Sequence, residues 1–518
     1  MKPIVPNSTN YFKTDQISNN LREKALRGAS ATLLAQIFSF TISMSGTIIL
    51  ARLLTPGDFG LVAMVLIFSL LLQNFGLNGF TEITIQRPEI NHTQISTLFW
   101  INLIINFSLS LLFIAVGPLI ACFYREPRLT GIIAIIASSI LFSGLSTQHL
   151  ALLQRNMEFY KTSLIAVLAS LISFALAVML AYMGWSYWAL AIRWAALPFI
   201  TAVGAWILCR WRPGLPANDP SIRPMIKFAL NTYGNFVIDY FGRNIDKLLL
   251  GKYYGTHALG FYDRAYQLSN MLPNQLVHPM TNIAVAALSR VSTNPDKYQR
   301  SYFEAISLLA FIGMPASAVI VLTGSDLIHI LLGPNWAMAG KLFQIFGISL
   351  GIKLVYSTHS WLHLSLGTPD KWFRWSILSL IFTVLCFLIG LKFGIVGITV
   401  AYSVSYYFLI GPGLWYAGKP IHLNLSHILD AVWRYYVSAS VSGLSCWFVL
   451  HKWAFLSLHF GRMNTLLRIL LSSSLFTGIY MAIIFILYPG GRPISHFLQV
   501  FREMVLGRIN NTLQRNTE

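Results

Sequence analysis

Residues 236–266 read FVIDYFGRNIDKLLLGKYYGTHALGFYDRAY, a stretch flanked by apolar sequence that nevertheless holds Asp239, Arg243, Asp246, Lys247, Asp263 and Arg264. At the helical period, the first four of these fall on one face. In a soluble protein such a face would simply meet water. This chain, however, has 518 residues of which 55% are hydrophobic and only 11% charged, whereas soluble domains carry about 25% charged residues. Apolar runs long enough to cross a bilayer recur along its whole length. Charges inside such a protein are costly and face the bundle interior or a wet cavity, so this stretch marks the expected site.

Working outward, the pattern predicts an all-α polytopic membrane protein. The bilayer offers no partner for an unpaired backbone group, and the runs are continuous rather than alternating, so helices and not a β-barrel are expected. Fourteen spans are expected, approximately 29–51, 58–79, 96–117, 130–153, 162–183, 186–208, 226–251, 258–287, 302–323, 341–366, 373–392, 395–416, 431–450 and 467–488. The seventh, eighth and tenth are the least apolar and are expected to face inward. The net charge of +19 is read as basic loop residues of a membrane protein, not as a nucleic-acid signal. With both termini in the cytoplasm, 23 of the 37 Lys and Arg fall in cytoplasmic segments and nine on the opposite side, the bias of the positive-inside rule. The polar first 28 residues and the long run after them predict a retained first span rather than a cleaved signal. Cys122, Cys209, Cys386 and Cys446 lie in or beside apolar runs without short spacing, and are expected to be core residues. After Pro489, an amphipathic tail with Phe497, Leu498 and Phe501 on one face is expected to lie on the inner leaflet.

The chain also repeats itself. Ala51-Arg52 and Gly60 match Gly251-Lys252 and Gly260, and Gly184 matches Gly394. The expected organisation is an N-terminal segment (1–28), an N-lobe of six spans (29–215), a pseudo-symmetric C-lobe of six (216–420), two extra spans (421–488) and the cytoplasmic tail (489–518). Six spans per copy give both lobes one orientation, an arrangement that suits rocking of one lobe against the other around a site between them.

The run Leu50-Ala51-Arg52-Leu53-Leu54, then Phe59-Gly60-Leu61, Phe75-Gly76-Leu77, Ile85-Gln86-Arg87 and Thr97-Leu98-Phe99-Trp100-Ile101-Asn102, resembles the Wzx-type polysaccharide flippases. The likeness is greatest to their colanic-acid and teichuronic-acid translocase branch. In the second copy Leu259-Gly260, Tyr262 and Ala265-Tyr266 fit the same pattern. The resemblance implies the fold of the multidrug/oligosaccharidyl-lipid/polysaccharide exporter superfamily, with twelve core helices in two lobes. It also implies a polyprenyl-diphosphate-linked oligosaccharide as substrate, flipped from the inner to the outer leaflet of a bacterial cytoplasmic membrane for capsule, exopolysaccharide or O-antigen assembly. A polysaccharide polymerase and a chain-length regulator are the expected protein partners. The family supplies no strict motif of transport residues, so the site is read from this chain.

An anionic headgroup crossing a low-dielectric slab needs cations that replace part of its hydration. Arg243, Lys247, Arg264 and Lys353 are the candidates for binding it; Lys353 has no acid near it in its own span. Against this, Arg243 can simply be held by Asp239 and Asp246, one turn to either side. Asp239, Asp246 and Asp263 are candidates for charge pairing or for coupling to H+ or Na+. His359 and His363 share a helix face, but without a nearby acid or cysteine they read as interior histidines and not as metal ligands. Pro273 and Pro279 are expected to break the eighth span. No phosphate-cradling glycine loop is present in the sequence, and no other cofactor is expected. The competing readings are a cation-coupled multidrug exporter, which should carry excess acids in its cavity, and a membrane-embedded polymerase or ligase, which should carry a sizeable outer loop. Neither feature stands out here, and an enzyme is not expected.

Overall fold

The computed structural model describes residues 21–77, 81, 84–85, 87, 90–216, 222–452 and 463–488, with some side chains inside these ranges, those of 222–239 and of 243 among them, outside the description. The N-terminal segment before residue 21 and the expected amphipathic tail lie outside the described residues.

The described chain is helical throughout. In order, the helices are α1 (Leu21–Leu53), α2 (Pro56–Leu77), α3 (His92–Tyr124), α4 (Leu129–Arg155), α5 (Phe159–Tyr182), α6 (Tyr187–Leu208), α7 (Ile222–Arg290), α8 (Pro295–Leu332), α9 (Ala337–Ser357), α10 (His359–Ser365), α11 (Pro369–Leu391), α12 (Gly394–Gly418), α13 (Leu425–Lys452) and α14 (Thr465–Leu487). Among the described residues, 11 helical segments are long and apolar enough to cross a membrane. They match the expected spans one to six, nine to twelve and fourteen. The seventh, eighth and thirteenth fall on α7 and α13, which are helical but outside that apolar set. The window of the tenth span, Pro334–Ser365, is 67% buried, against 17% for Pro369–Leu391, so the tenth is an interior helix and α11 a peripheral one.

Two compact units form, Met1–Asp263 and Arg264–Glu518. Their boundary falls inside α7, whereas the repeat in the sequence starts its second copy before α7. Symmetry of sequence and compactness of packing are separate properties.

In the first unit, Phe99, Leu152, Leu153, Ile165 and Trp211 form a core joining α3, α4 and α5 to the segment after α6. Arg155, at the end of α4, donates to the carbonyls of Thr84 (3.0 Å) and Arg87 (2.6 Å), and the Thr84 hydroxyl donates to Gln148 (2.8 Å). A buried guanidinium thus satisfies backbone carbonyls in the connection between α2 and α3.

The start of α2 is closed by a reciprocal cap. The Thr55 backbone N–H and hydroxyl donate to Asp58 at 2.9 and 2.7 Å, and the Asp58 N–H donates back to the Thr55 hydroxyl at 3.3 Å. The other Asp58 oxygen accepts from Ser186, at the turn between α5 and α6. Asp58 is only 7% exposed. Asp58→Ala should therefore lower stability by roughly 2 kcal/mol, combining a lost cap with a stranded hydroxyl. A thermal melt of the purified protein reads this, and Asp58→Asn should recover part of the loss.

In the second unit, Tyr302, Ile306 and Leu309 of α8 pack with Trp361 of α10, Tyr435 of α13 and Tyr480 of α14. The helices beyond the repeat therefore dock on α8. Arg468 of α14 also binds Asp326 of α8 at 2.6 Å.

The expected break at Pro273 and Pro279 is not observed, and the backbone stays helical through both. The break in α7 lies at Gly255, with φ 77° and ψ −169°. A helix can absorb a proline by giving up one hydrogen bond, but this φ/ψ combination is open only to glycine. The cysteine expectation also needs correcting: Cys209 and Cys446 are buried, whereas Cys122 is exposed and Cys386 half-buried.

Candidate functional site

The break at Gly255 turns α7 back on itself. The half before it, α7a, carries Asp246 and Lys247, and the half after it, α7b, carries Tyr262 and Asp263. The Tyr262 hydroxyl donates to Asp246 at 2.5 Å, and the Lys247 ammonium binds Asp263 at 2.9 Å. Both carboxylates are almost completely covered, Asp246 being 2% and Asp263 3% exposed. Asp246 also accepts its neighbour's backbone N–H, from Lys247, at 2.8 Å. Two staples of equal sequence separation therefore close the hairpin. Asp246, expected to hold Arg243 along the helix, accepts a hydrogen bond from Tyr262 on the facing helical arm of the hairpin. Arg243 and Asp239 themselves have side chains outside the described set. Of the expected cationic set, Lys247 is thus part of an ion pair, and Arg264 is half-buried on α7b.

The tips of the two sequence-related hairpins meet in the first unit. A Cβ on Gly60 of α2 would collide with the carbonyl of Thr256, and a Cβ on Gly260 of α7b would collide with the carbonyl of Pro56. Glycine at each position lets backbone meet backbone. The glycines paired by spacing in the sequence are the two at which these tips interlock.

Lys353 lies on α9. Its ammonium donates to the Asn270 amide oxygen and to the Tyr402 hydroxyl, the latter at 2.7 Å. It also lies 5.8 Å from the ring centre of Tyr266, 5.4 Å from that of Tyr402 and 5.6 Å from that of Tyr406. Cations are attracted to such ring faces within about 6 Å. The cage is held from behind. The Asn270 amide N–H donates to the Tyr266 carbonyl at 2.8 Å, fixing its oxygen toward the lysine. Phe346 packs edge-on against both Tyr266 and Tyr402, and the Tyr406 hydroxyl donates to that of Tyr402 at 3.4 Å.

The tyrosines of this cage have no local signature in the sequence, because aromatic residues in apolar runs are as often core or interfacial. The cue is the spacing of Tyr402 and Tyr406, one turn apart on a span that also carries Thr399, Ser403 and Ser405. His359 and His363 lie with ring centres 6.2 Å apart and edge-on. Their Nδ1 atoms are engaged by the Tyr356 carbonyl at 2.7 Å and the Thr368 hydroxyl at 3.0 Å respectively. Among the described residues, no group of three or more His, Cys, Asp or Glu is placed to hold a metal ion.

Comparison with known proteins places this geometry. Residues 49–341 match the family model described as polysaccharide biosynthesis protein. The chain is 23% identical over 411 residues to the lipopolysaccharide biosynthesis protein WzxC of Escherichia coli (strain K12), covering 76% of this chain and 82% of that protein. It is 24% identical over 373 residues to the teichuronic acid biosynthesis protein TuaB of Bacillus subtilis (strain 168), covering 71% and 76%. Among solved structures, the lipid II flippase MurJ in an inward closed conformation superposes with a TM-score of 0.69, at 14% identity over 89% of this chain and 99% of that one. An inward-facing multidrug resistance MATE transporter of the MOP superfamily superposes with a TM-score of 0.59, at 14% identity over 76% and 96%.

Proposed function

The chain belongs to the polysaccharide biosynthesis protein family, and from that premise we propose that it is a flippase. It carries a polyprenyl-diphosphate-linked oligosaccharide from the inner to the outer leaflet of the bacterial cytoplasmic membrane by alternating access. The fold is that of the MOP superfamily, and the protein is a multi-pass membrane protein. The observation that carries the proposal beyond the family is Lys353, a cation on an interior helix whose ammonium donates to the Tyr402 hydroxyl and the Asn270 amide oxygen. Phenol and amide oxygens are weaker partners for an ammonium than an anionic ligand oxygen. An anionic ligand oxygen would compete with both for the lysine.

In this reading Lys353 and Arg264, with Arg243, serve the anionic headgroup, while Lys247 and Asp263 keep the α7 hairpin closed. Asp239 and Asp246 are the sites at which H+ or Na+ coupling would act. Both termini lie in the cytoplasm, and a polymerase and chain-length regulator receive the product. Export of an organic cation would need interior acids that face the drug. Asp246 and Asp263 are instead bonded to Tyr262 and Lys247.

The test uses the full chain in vesicles loaded on one leaflet with an undecaprenyl-diphosphate-linked oligosaccharide. The wild-type protein should move it, and Lys353→Met should slow it about tenfold, the worth of one hydrogen bond to a charged group. Undiminished translocation by Lys353→Met removes the lysine from the mechanism, and no translocation by the wild type removes the function.

A further inference from the structure

We infer that His363 is a proton-sensitive latch on the turn between α10 and α11: its neutral ring holds the turn shut, and proton uptake releases it. The latch stands independently of the flippase reading, and only its consequence for transport rests on that reading.

α10 is a helix of seven residues, His359–Ser365, too short to persist without tertiary support. It exits through a tight turn with Gly367 at φ 65°. Two contacts of His363 close that turn. Its carbonyl accepts the Thr368 N–H at 2.9 Å, and its ring Nδ1 lies 3.0 Å from the Thr368 hydroxyl. The residue is 1% exposed, and among the described residues its Nε2 meets no hydrogen-bond partner. A neutral imidazole here leaves one ring nitrogen unsatisfied. A protonated one would leave a buried N–H that carries charge, which costs far more.

The elements packed around the ring supply no counter-charge. His359 lies beside it on α10, edge-on. α12 presents Tyr416, with ring centres 6.1 Å apart, and Trp375 of α11 stacks on that tyrosine. α11 also brings Lys371, a positive charge. α8 contributes the phenols of Tyr298 and Tyr302, bonded to Ser365 and Thr358 at the two ends of α10. Asp370, on the first turn of α11, is exposed, and among the described residues no acid forms an ion pair with His363.

With the turn open, Nε2 meets water and the charge is hydrated. Protons therefore bind the open form more tightly than the closed one. By linkage, lowering the pH through the histidine range shifts the turn toward opening, and raising it restores closure. The latch lies near the end of the interior span whose α9 part carries Lys353. On the flippase reading, acid on that side loosens the helix on which transport depends.

The test is amide hydrogen exchange of the detergent-purified full chain, read by mass spectrometry and corrected for the intrinsic pH dependence of exchange. From about pH 7.5 to about pH 5.5, residues 359–368 should lose protection about tenfold, the shift that one proton on an open histidine of ordinary affinity gives. α3 should not change. His363→Gln should abolish the pH dependence, and His359→Gln should retain it. Exchange in 359–368 that does not respond to pH overturns the proposal, as does a response that survives His363→Gln or is shared equally by α3. Should the His363→Gln protein fail to fold, the wild type and His359→Gln decide. A response confined to 359–368 in both supports the latch, and one that disappears in His359→Gln belongs to the other histidine and overturns it.

Discussion

Asp263→Ala should unfold or severely loosen the α7 hairpin, with a loss of about 3–5 kcal/mol, because it removes the carboxylate that pairs with the covered Lys247 ammonium. The pair is short, 2.9 Å, and its two side chains are 13% and 5% exposed. Removing both charges should cost far less. In the double variant Lys247→Met, Asp263→Leu, no buried ion is left without a partner, and replacement of a buried pair by apolar groups is often neutral. A thermal-melt double-mutant cycle on the purified protein measures this coupling. If the single and double variants were equally destabilised, the pair would not be what closes the hairpin. The same cycle separates stability from transport: if Lys247 works only as a staple, the double variant should fold and still flip its cargo.

The second large effect is expected at the interlocked glycines. Gly60→Val or Gly260→Val places a branched side chain where a backbone carbonyl already sits, so neither a rotamer change nor a side-chain shift relieves the clash. The hairpin tips must separate, at a cost of roughly 3 kcal/mol, the upper end for overpacking. Alanine should produce most of that loss, because the collision is with Cβ itself. By contrast Gly443→Ala, where the nearest neighbour of an added Cβ is the Ala318 methyl at 3.7 Å, should leave the melting temperature within about a degree or two. Cysteine accessibility at position 57 or 257 offers a second reading, since loosening the tips should expose both. A Gly60→Val protein with wild-type stability and labelling would show that this contact is not a fixed point of the fold.

Much of this was legible along the chain. Helical runs can be read directly because apolarity is local and additive, and a bilayer leaves the backbone no alternative. Legible also was that the charges of residues 236–266 should be engaged inside the protein, as Asp246, Lys247 and Asp263 are. Gly60 and Gly260 could be paired as equivalents by their shared spacing from Ala51 and Gly251, though nothing in the sequence said that they touch. The proline argument failed because it treated a lost hydrogen bond as a break. The real break is set by a backbone conformation that only Gly255 can adopt.

What the sequence by itself determined, then, is the material: an all-helical membrane chain with a charged stretch near its midpoint. Only the tertiary structure decided which side chains the described charges meet. Lys247 meets Asp263 across a hairpin turn, not along a helix, and Lys353 meets Asn270 and Tyr402 across separations of 83 and 49 residues. Hydropathy and helical period are sums over neighbours, and so survive in one dimension. Electrostatic partnership depends on which side chains folding brings within a few ångströms, and no local pattern records that distance.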